Sequence, residues 1–533
     1  MIRDELLNAV FAALGSLGVD EVPDGVVIER PARPEHGDWS TNAALVCAKV
    51  VGTNPRSLAQ RLVDELSANP PRHVDEFEIA GPGFVNFRLA PTWLHEVLTE
   101  VVTEGPDAYA RMDQGAGRTV NIEFVSANPT GPLHAGHGRW AAYGDSVARI
   151  LERVGWDVHR EFYINDRGVQ AEQYARSLVA RRNGEEPADD GYRGEYIAEW
   201  AALMPADADP LEWGLAHARA HQEASLSAMH VEFDSWSSER DLVQTGAIEA
   251  TLDELREGGH VYDDEDAVWL RTTDFGDDKD RVLVKADGEP TYFLPDIAYH
   301  RDKFGRGALL VDILGADHHG YVARMKAALL ALGHSSDEYE AIIGQNVTLI
   351  RDGAEVRLSK RAGTMVLLAD LVDEVGPDVA RFAYLLQSID TRQTIDIDVL
   401  KAHASENPVF YVQYAHARIH AIVRMAEERS VERRPLAEVD LARLSHEREL
   451  ALLRSLSALP EVLLIAAAER APHKMTTWIR ELASDFHGFY RDCPVLSDDD
   501  DDLRQARLWL VEAARIGLSI GLDILGVSAP EEM

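Results

Sequence analysis

The sequence predicts a mixed α/β protein: a parallel sheet covered by helices, preceded by an α+β segment and followed by an all-helical one. Three observations carry this. A strand, VNIEFV, runs through a turn rich in Pro and Gly into a helix and then a second strand, WDVHREFYI. Strand, helix, strand in that order is the repeating unit of a parallel sheet. The first 90 residues mix helical and strand patterns, and from about residue 401 the pattern is helical throughout.

Each element has its own signal. The N-terminal stretch MIRDELLNAVFAALGSLG reads as an amphipathic helix, acidic early, and not as a signal peptide. Leu58, Leu62, Val63 and Leu66 lie at helical spacing. FEIAGPGFVNFRL alternates around a Gly-Pro-Gly break and predicts a hairpin. Residues 105–118 read as a linker. In VNIEFV, Val120, Ile122 and Phe124 point one way, Asn121 and Glu123 the other. The following helix carries an apolar stripe of Trp140, Tyr143, Val147, Ile150, Leu151 and Val154, and Gly155 can end it. Residues 170–260 look like a polar, mostly helical insertion, and ALLVDILGADHH like a buried strand with a polar end. The five aspartates Asp498 to Asp502 predict a solvated loop, with Asp502 or a neighbour capping the last helix.

Charge and cysteine content narrow the setting. The chain of 533 residues carries 91 acidic and 53 basic side chains, a formal charge of −38. That is opposite to the basic balance usual for a nucleic-acid binder, and suits a solvated acidic shell in strong salt, hence a halophilic host. The two cysteines, Cys47 and Cys493, exclude a Cys-x-x-Cys zinc site, and no structural metal is expected. No apolar run reads as a membrane span, so the expectation is a cytoplasmic protein without membrane contact.

The strongest chemical signal is PLHAGH at the strand-to-helix turn. Gly136 allows close approach of a flat ligand to the backbone. The helix start offers N–H groups and a positive dipole end to phosphates, and His134 and His137 add donors. A pair of surface histidines or a metal pair is the competing reading of His-x-x-His alone.

SANPTGPLHAGH resembles the HIGH signature of class I aminoacyl-tRNA synthetases in the form found in arginyl-tRNA synthetases, and GRWAAYGDSVARILERVGWDVHREFYINDRGVQ continues the match. VRLSKRAGT, residues 356–364, resembles the family's KMSKS loop, with Arg357 and Leu358 in place of its first lysine and methionine. The resemblance implies a Rossmann-like catalytic domain over 116–400, an additional tRNA-binding domain over 1–110 and a helical anticodon-binding domain over 401–533. It implies an enzyme that uses ATP, with its Mg2+, to activate L-arginine and load it onto tRNA(Arg), most often as a monomer. His134, His137 and Lys360 take the catalytic roles on the phosphates, with Gly136 and Ser359 binding ATP beside them. Asp317 and His318, in GADHHGYVARMK, are candidates for ribose or adenine contacts; a metal site there is the competing reading.

For arginine, a planar guanidinium calls for carboxylates in bidentate reach. The resemblance assigns Glu123 and Asn128 to the substrate's amino group or nearby polar atoms, and Tyr292 and Asp296 to the guanidinium side. Gln170 is a further candidate contact. Phe410, Tyr411 and Tyr414 either stack on unpaired anticodon bases or pack the helical core. The family's arginine before the last methionine is replaced here by Glu532.

Overall fold

The computed structural model describes residues 2–31, 33–356, 366–401, 407–497 and 500–533. The chain forms two compact units. One comprises residues 1–105, 425–457 and 485–514; the other comprises 106–424, 458–484 and 515–533.

The first unit holds a four-stranded antiparallel sheet in the order Ile28–Glu29, Trp39–Thr41, Phe84–Leu89, Val74–Ala80. The expected hairpin is its last pair. Gly83, at φ +148°, is required at the turn because a side chain there would press to 3.0 Å on the Pro55 backbone. The helix Pro55–Ala68 begins where the Asn54 side chain accepts the Ser57 N–H, with Pro55 at its first position. It buries Leu58, Leu62 and Leu66, and the N-terminal helix buries Leu6, Val10 and Leu14. Of the aspartate run, Asp498 and Asp499 lie outside the described residues; the remaining three are not a solvated loop. Asp500 caps the helix Asp501–Ile524 by accepting the Leu503 N–H at 3.1 Å, and Asp500, Asp501 and Asp502 meet Arg443 and Arg434.

The second unit is built on a five-stranded, fully parallel sheet. We number its strands in chain order: β1 (Thr119–Glu123), β2 (Asp157–Ile164), β3 (Ser235–Ser238), β4 (Leu309–Gly315) and β5 (Tyr339–Gly344). Their spatial order is β3-β2-β1-β4-β5. Strand order therefore reverses between β1 and β4, and in open parallel sheets the ligand crevice lies at the carboxyl ends of the strands flanking that point.

Three expectations change. The segment 105–118 is no slack tether: Met112, Gly115 and Gly117 donate backbone N–H bonds to the carbonyls of Arg153, Val154 and Gly155. The stretch 170–260 is not one helical insertion. Helices Gly168–Arg182, Glu195–Leu203 and Pro210–Ser227 are followed by β3, which belongs to the central sheet. The apolar stretch Glu447–Ala468 is long and apolar enough to cross a membrane by length and composition. It forms two helices, Glu447–Ser457 and Leu459–Ala468, that bury Leu452, Leu453 and Leu456, and Leu459 and Leu463, respectively.

The helix His137–Arg153 is buried on more faces than an apolar stripe requires, and its polar residues are paired inside the protein. Asp145 accepts from Arg381 at 2.6 Å and Arg149 at 2.8 Å, with Arg160 at 3.5 Å. Arg381, fully buried, also donates to the carbonyls of Leu525 and Met229. Removing one partner of such a pair strands the other charge. Asp145→Ala is expected to destabilise this unit by about 3–5 kcal/mol in a denaturant titration; a loss under about 1 kcal/mol would contradict the role given to this cluster.

Candidate active site

β1 ends at Glu123, and the chain turns sharply: Val125 and Ser126 have φ of +69° and +39°. A β-branched residue in this region is strained by about 1–3 kcal/mol and persists only where its surroundings hold it. They do so here. Ser126 Oγ donates to Glu123 Oε1 at 2.8 Å and accepts the Tyr163 N–H at 3.1 Å.

The turn then enters the helix His137–Arg153 through PLHAGH. The backbone of Leu133 to Ala135 is pinned by Leu368 N–H to the Leu133 carbonyl and Ala135 N–H to the Val366 carbonyl, both 2.9 Å. Tyr384 donates to the Ala135 carbonyl at 2.6 Å. Its ring leaves no room for a side chain at residue 138, where a Cβ would sit 2.6 Å from it. The two histidine rings stack with centroids 3.7 Å apart. His137 Nδ1 accepts the His134 N–H at 3.1 Å, which places the proton of the neutral ring on Nε2. The helix N-cap is Gly136, which supplies no side-chain cap; the first two N–H groups, of His137 and Gly138, donate to the His134 and Ala135 carbonyls at 2.9 and 3.0 Å, so the helix start offers its dipole end. A histidine donor and a helix N-terminus thus face the carboxyl end of β1.

Beside them lies a cluster of acids. Glu123 Oε2 accepts from Lys303 Nζ at 2.8 Å, and Lys303 also meets Asp312 on β4. Lys303 is fully buried; between two carboxylates its ammonium is held above the ordinary lysine range, although burial opposes this. Asp312 binds His300 Nε2 at 2.7 Å. Glu161 on β2 takes Arg306 at 2.7 Å and the Tyr299 hydroxyl at 3.1 Å. Glu239, just past β3, is buried; among the described residues its ion-pair partner is Arg167, at 3.9 Å, and burial raises its pKa. Asp296 is half-buried; desolvation, outweighing His300 and the Tyr321 hydroxyl, pushes its pKa up to about 7. Tyr163 stands among these acids: the charges of Glu239, Asp296 and Glu123 all act on its hydroxyl. Among the described residues, the five carboxylates Glu123, Glu161, Asp312, Glu239 and Asp296 have three fixed cations, Lys303, Arg306 and Arg167.

Two cavities connect these parts. One of about 330 Å³ is lined by Ser126, Asn128, Thr130, His137, Gln170 and Tyr192. Another of about 630 Å³ is lined by Asn128, Arg167, Gln170, Glu239, Lys285 and Tyr292, among others. They share Asn128 and Gln170, which bond each other at 2.8 Å. Tyr292 is 86% exposed at the start of the helix Phe293–Lys303 and lines the larger one.

The residues singled out in the sequence therefore fall into groups. Glu123, Asn128, His134, Gly136, His137, Gln170, Tyr292 and Asp296 surround this region. His318 lies at the carboxyl end of β4, edge-on to Tyr321. Ser359 and Lys360 lie outside the described residues, as does the side chain of Asp317. Phe410, Tyr411 and Tyr414 sit on the helix Pro408–Glu428 away from this group; Val409, Val412 and Ala415 supply that helix's buried face, and Tyr414 is 46% exposed with Arg418 stacked 4.3 Å over its ring. Sequence reading missed Tyr163, Glu239, Lys303 and Asp312. For Lys303 a signal existed: it lies seven residues after Asp296, on the same helical face.

The parallel sheet with a His-x-Gly-His turn at its switch point is that of a class I aminoacyl-tRNA synthetase. Residues 99–186 match the family "tRNA synthetases class I (R), catalytic domain", residues 3–89 "Arginyl tRNA synthetase N terminal domain", and residues 412–533 "DALR anticodon binding domain". An arginine–tRNA ligase of Frankia alni is 46% identical over 558 aligned positions, covering 100% of both chains. Among solved structures, one described as an arginyl-tRNA synthetase of Campylobacter jejuni is 32% identical at a TM-score of 0.75, covering 84% of this chain and 100% of its own. The Thermus thermophilus arginyl-tRNA synthetase has the same fold at a TM-score of 0.76, with 23% identity and 100% of both chains covered. The chain belongs to the arginyl-tRNA synthetase family.

The Asp296 shift has a consequence for stability. Its folded pKa, about 7, lies above the unfolded value of 3.8. The folded state thus holds more protons between those values, and stability falls as pH rises through that window. Asp296→Asn does not titrate. Its melting temperature relative to the parent is expected to climb between about pH 4 and 7 and level off above; a difference independent of pH would contradict the desolvated carboxyl.

Proposed function

We propose that this chain activates L-arginine with ATP and transfers it to the 3′ end of tRNA(Arg), and that the acid cluster beside PLHAGH is the amino-acid pocket. The observation that carries this reading is the charge balance. Five carboxylates face three fixed cations, and arginine brings two positive groups, the guanidinium and the α-ammonium. Lysine carries the same charge, but its ammonium cannot form the planar fork that two carboxylates accept.

On this reading Asp296 and Glu239 take the guanidinium, with Tyr292 closing over it, while Asn128 and Gln170 take the α-amino end. Glu123, already bonded to Lys303 and Ser126, shapes the pocket from beneath. The arginine carboxylate attacks the α-phosphorus of ATP, the bond from that phosphorus to the bridging oxygen breaks, and pyrophosphate leaves with its Mg2+. The positive dipole end of the helix that starts at His137, together with the His134 and His137 side chains, stabilises the phosphate charge that builds up; one side-chain donor of this kind is usually worth about 2.7–4 kcal/mol. Ser359 and Lys360 act on the same phosphates by family resemblance, and Asp317 and His318 are assigned to the nucleoside. A ribose hydroxyl of the tRNA then attacks the adenylate carbonyl and expels AMP.

Residues 1–110 are assigned to the tRNA's outer corner and 401–533 to its anticodon, where the exposed Tyr414–Arg418 pair offers a stacking platform. The family setting favours a cytoplasmic monomer. The acidic excess favours function at high salt, where counterion release adds little and stacking carries more of the tRNA affinity.

ATP–pyrophosphate exchange in molar salt, with each amino acid in turn and with or without tRNA, tests the reading. Exchange is expected with arginine and with no other amino acid, and, as the family resemblance implies, only when tRNA is present; exchange driven by another amino acid would overturn the reading. His137→Ala is expected to lower kcat by about 100-fold or more while changing the arginine KM little. An unchanged kcat would remove His137 from the phosphate site.

A further inference from the structure

The pocket contains an ammonium of its own. Lys303 ends the helix that also carries Asp296, and its Nζ lies between Glu123 Oε2, at 2.8 Å, and Asp312. It is 0% exposed and stands 5.1 Å over the ring of Tyr299. The other oxygens of the two carboxylates are also engaged, Glu123 Oε1 by Ser126 and Asp312 Oδ2 by His300. The Glu123–Asp312 pair, neither member of which lines the larger cavity as Glu239 does, is thus occupied by a lysine side chain built into the protein. Asp296 and Glu239, by contrast, have no cation closer than the 3.9 Å of Arg167 to Glu239 among the described ion pairs.

We infer that Lys303 is a specificity-determining residue: its ammonium fills the acid pair that would otherwise suit an incoming ammonium, so that only the outer acids remain for a guanidinium. This rests on the arginine-activating reading above. The chemistry follows from geometry. A compact ammonium on a flexible stem seeks a site between two carboxylates, and the Glu123–Asp312 pair is such a site, as Lys303 itself demonstrates. With the resident ammonium in place, a lysine substrate meets only the outer acids, whose demand for a planar donor it leaves half satisfied. Rejection of the wrong cation through an occupied site is specificity by exclusion, added to the attraction for the right one.

The test is amino-acid selectivity in ATP–pyrophosphate exchange, measured as the ratio of kcat/KM for arginine to that for lysine. In Lys303→Met this ratio is expected to fall at least about tenfold, at the lower end of what one altered pocket contact usually provides, with the ATP KM unchanged. Lys303→Arg, which restores a cation, should recover most of the ratio. Lys303→Met combined with Asp312→Asn removes one charge of each sign, keeps the cluster's balance if the single variant does not fold, and should show a smaller loss in the same direction, because only Glu123 is then released. Unchanged selectivity in the folded variants, with arginine activity falling only in step with the folded fraction, would overturn the inference and leave the arginine reading intact. Failure of the unaltered protein to activate arginine would instead overturn that reading itself.

Discussion

A buried ammonium joins the two strands between which the sheet reverses. Lys303 bonds Glu123 at the end of β1 and Asp312 within β4, and these strands lie in parallel register from Leu309 opposite Val120 to Asp312 opposite Glu123. Carboxylates on adjacent strands of a buried sheet repel each other unless a cation lies between them. With Lys303 and His300 beside it, Asp312 is held below the ordinary carboxylate range although burial opposes this. The helix that supplies this lysine supplies Asp296 two turns earlier, so the same contact that neutralises the inner acids sets the position of an outer one.

From that contact the site extends along two paths. Through Glu123 and Ser126 it reaches the strained turn at Val125, and so the histidine turn and the helix start proposed for the phosphates. Through Asp312 and His300 it reaches the Asp296 carbonyl, next in the chain to Pro295 in the wall of the larger cavity. Charge-rich interiors of this kind cost stability, and the cost is tolerable here because each inner carboxylate is matched. The outer pair, Asp296 and Glu239, is not, and desolvation raises both pKa values in consequence. Unmatched acids at the edge of a matched cluster are the feature on which the proposed binding pocket rests.

Much of this was legible in the sequence, for local reasons. The His134–His137 turn is written in contiguous residues, and the strand before it and helix after it follow from spacing alone. The all-helical C-terminal pattern and the N-terminal hairpin are likewise local. The remainder depends on distance along the chain. Lys303 and Glu123 are 180 residues apart, and a lone lysine near a helix end ordinarily reads as solvated. Glu239 was hidden because β3, SWSS, is four residues long and has no apolar alternation to announce it. The segment 105–118 looked like a tether because its partners are backbone carbonyls, which composition does not reveal. Where the sequence left two readings of Phe410, Tyr411 and Tyr414, burial gives the core face of their helix to Val409, Val412 and Ala415.

The central claim is that the unmatched acids are completed by the cations of arginine. Calorimetric titration of the protein with arginine, in buffers of different ionisation enthalpy between pH 6 and 9, measures it directly. Because Asp296 is partly protonated near pH 7 when the pocket is empty, binding should release protons near neutrality, tighten as pH rises through that range, and turn to proton uptake toward pH 9, where the α-amino group of free arginine loses its own proton. Arginine binding with the same affinity and no proton release at every pH would contradict the account.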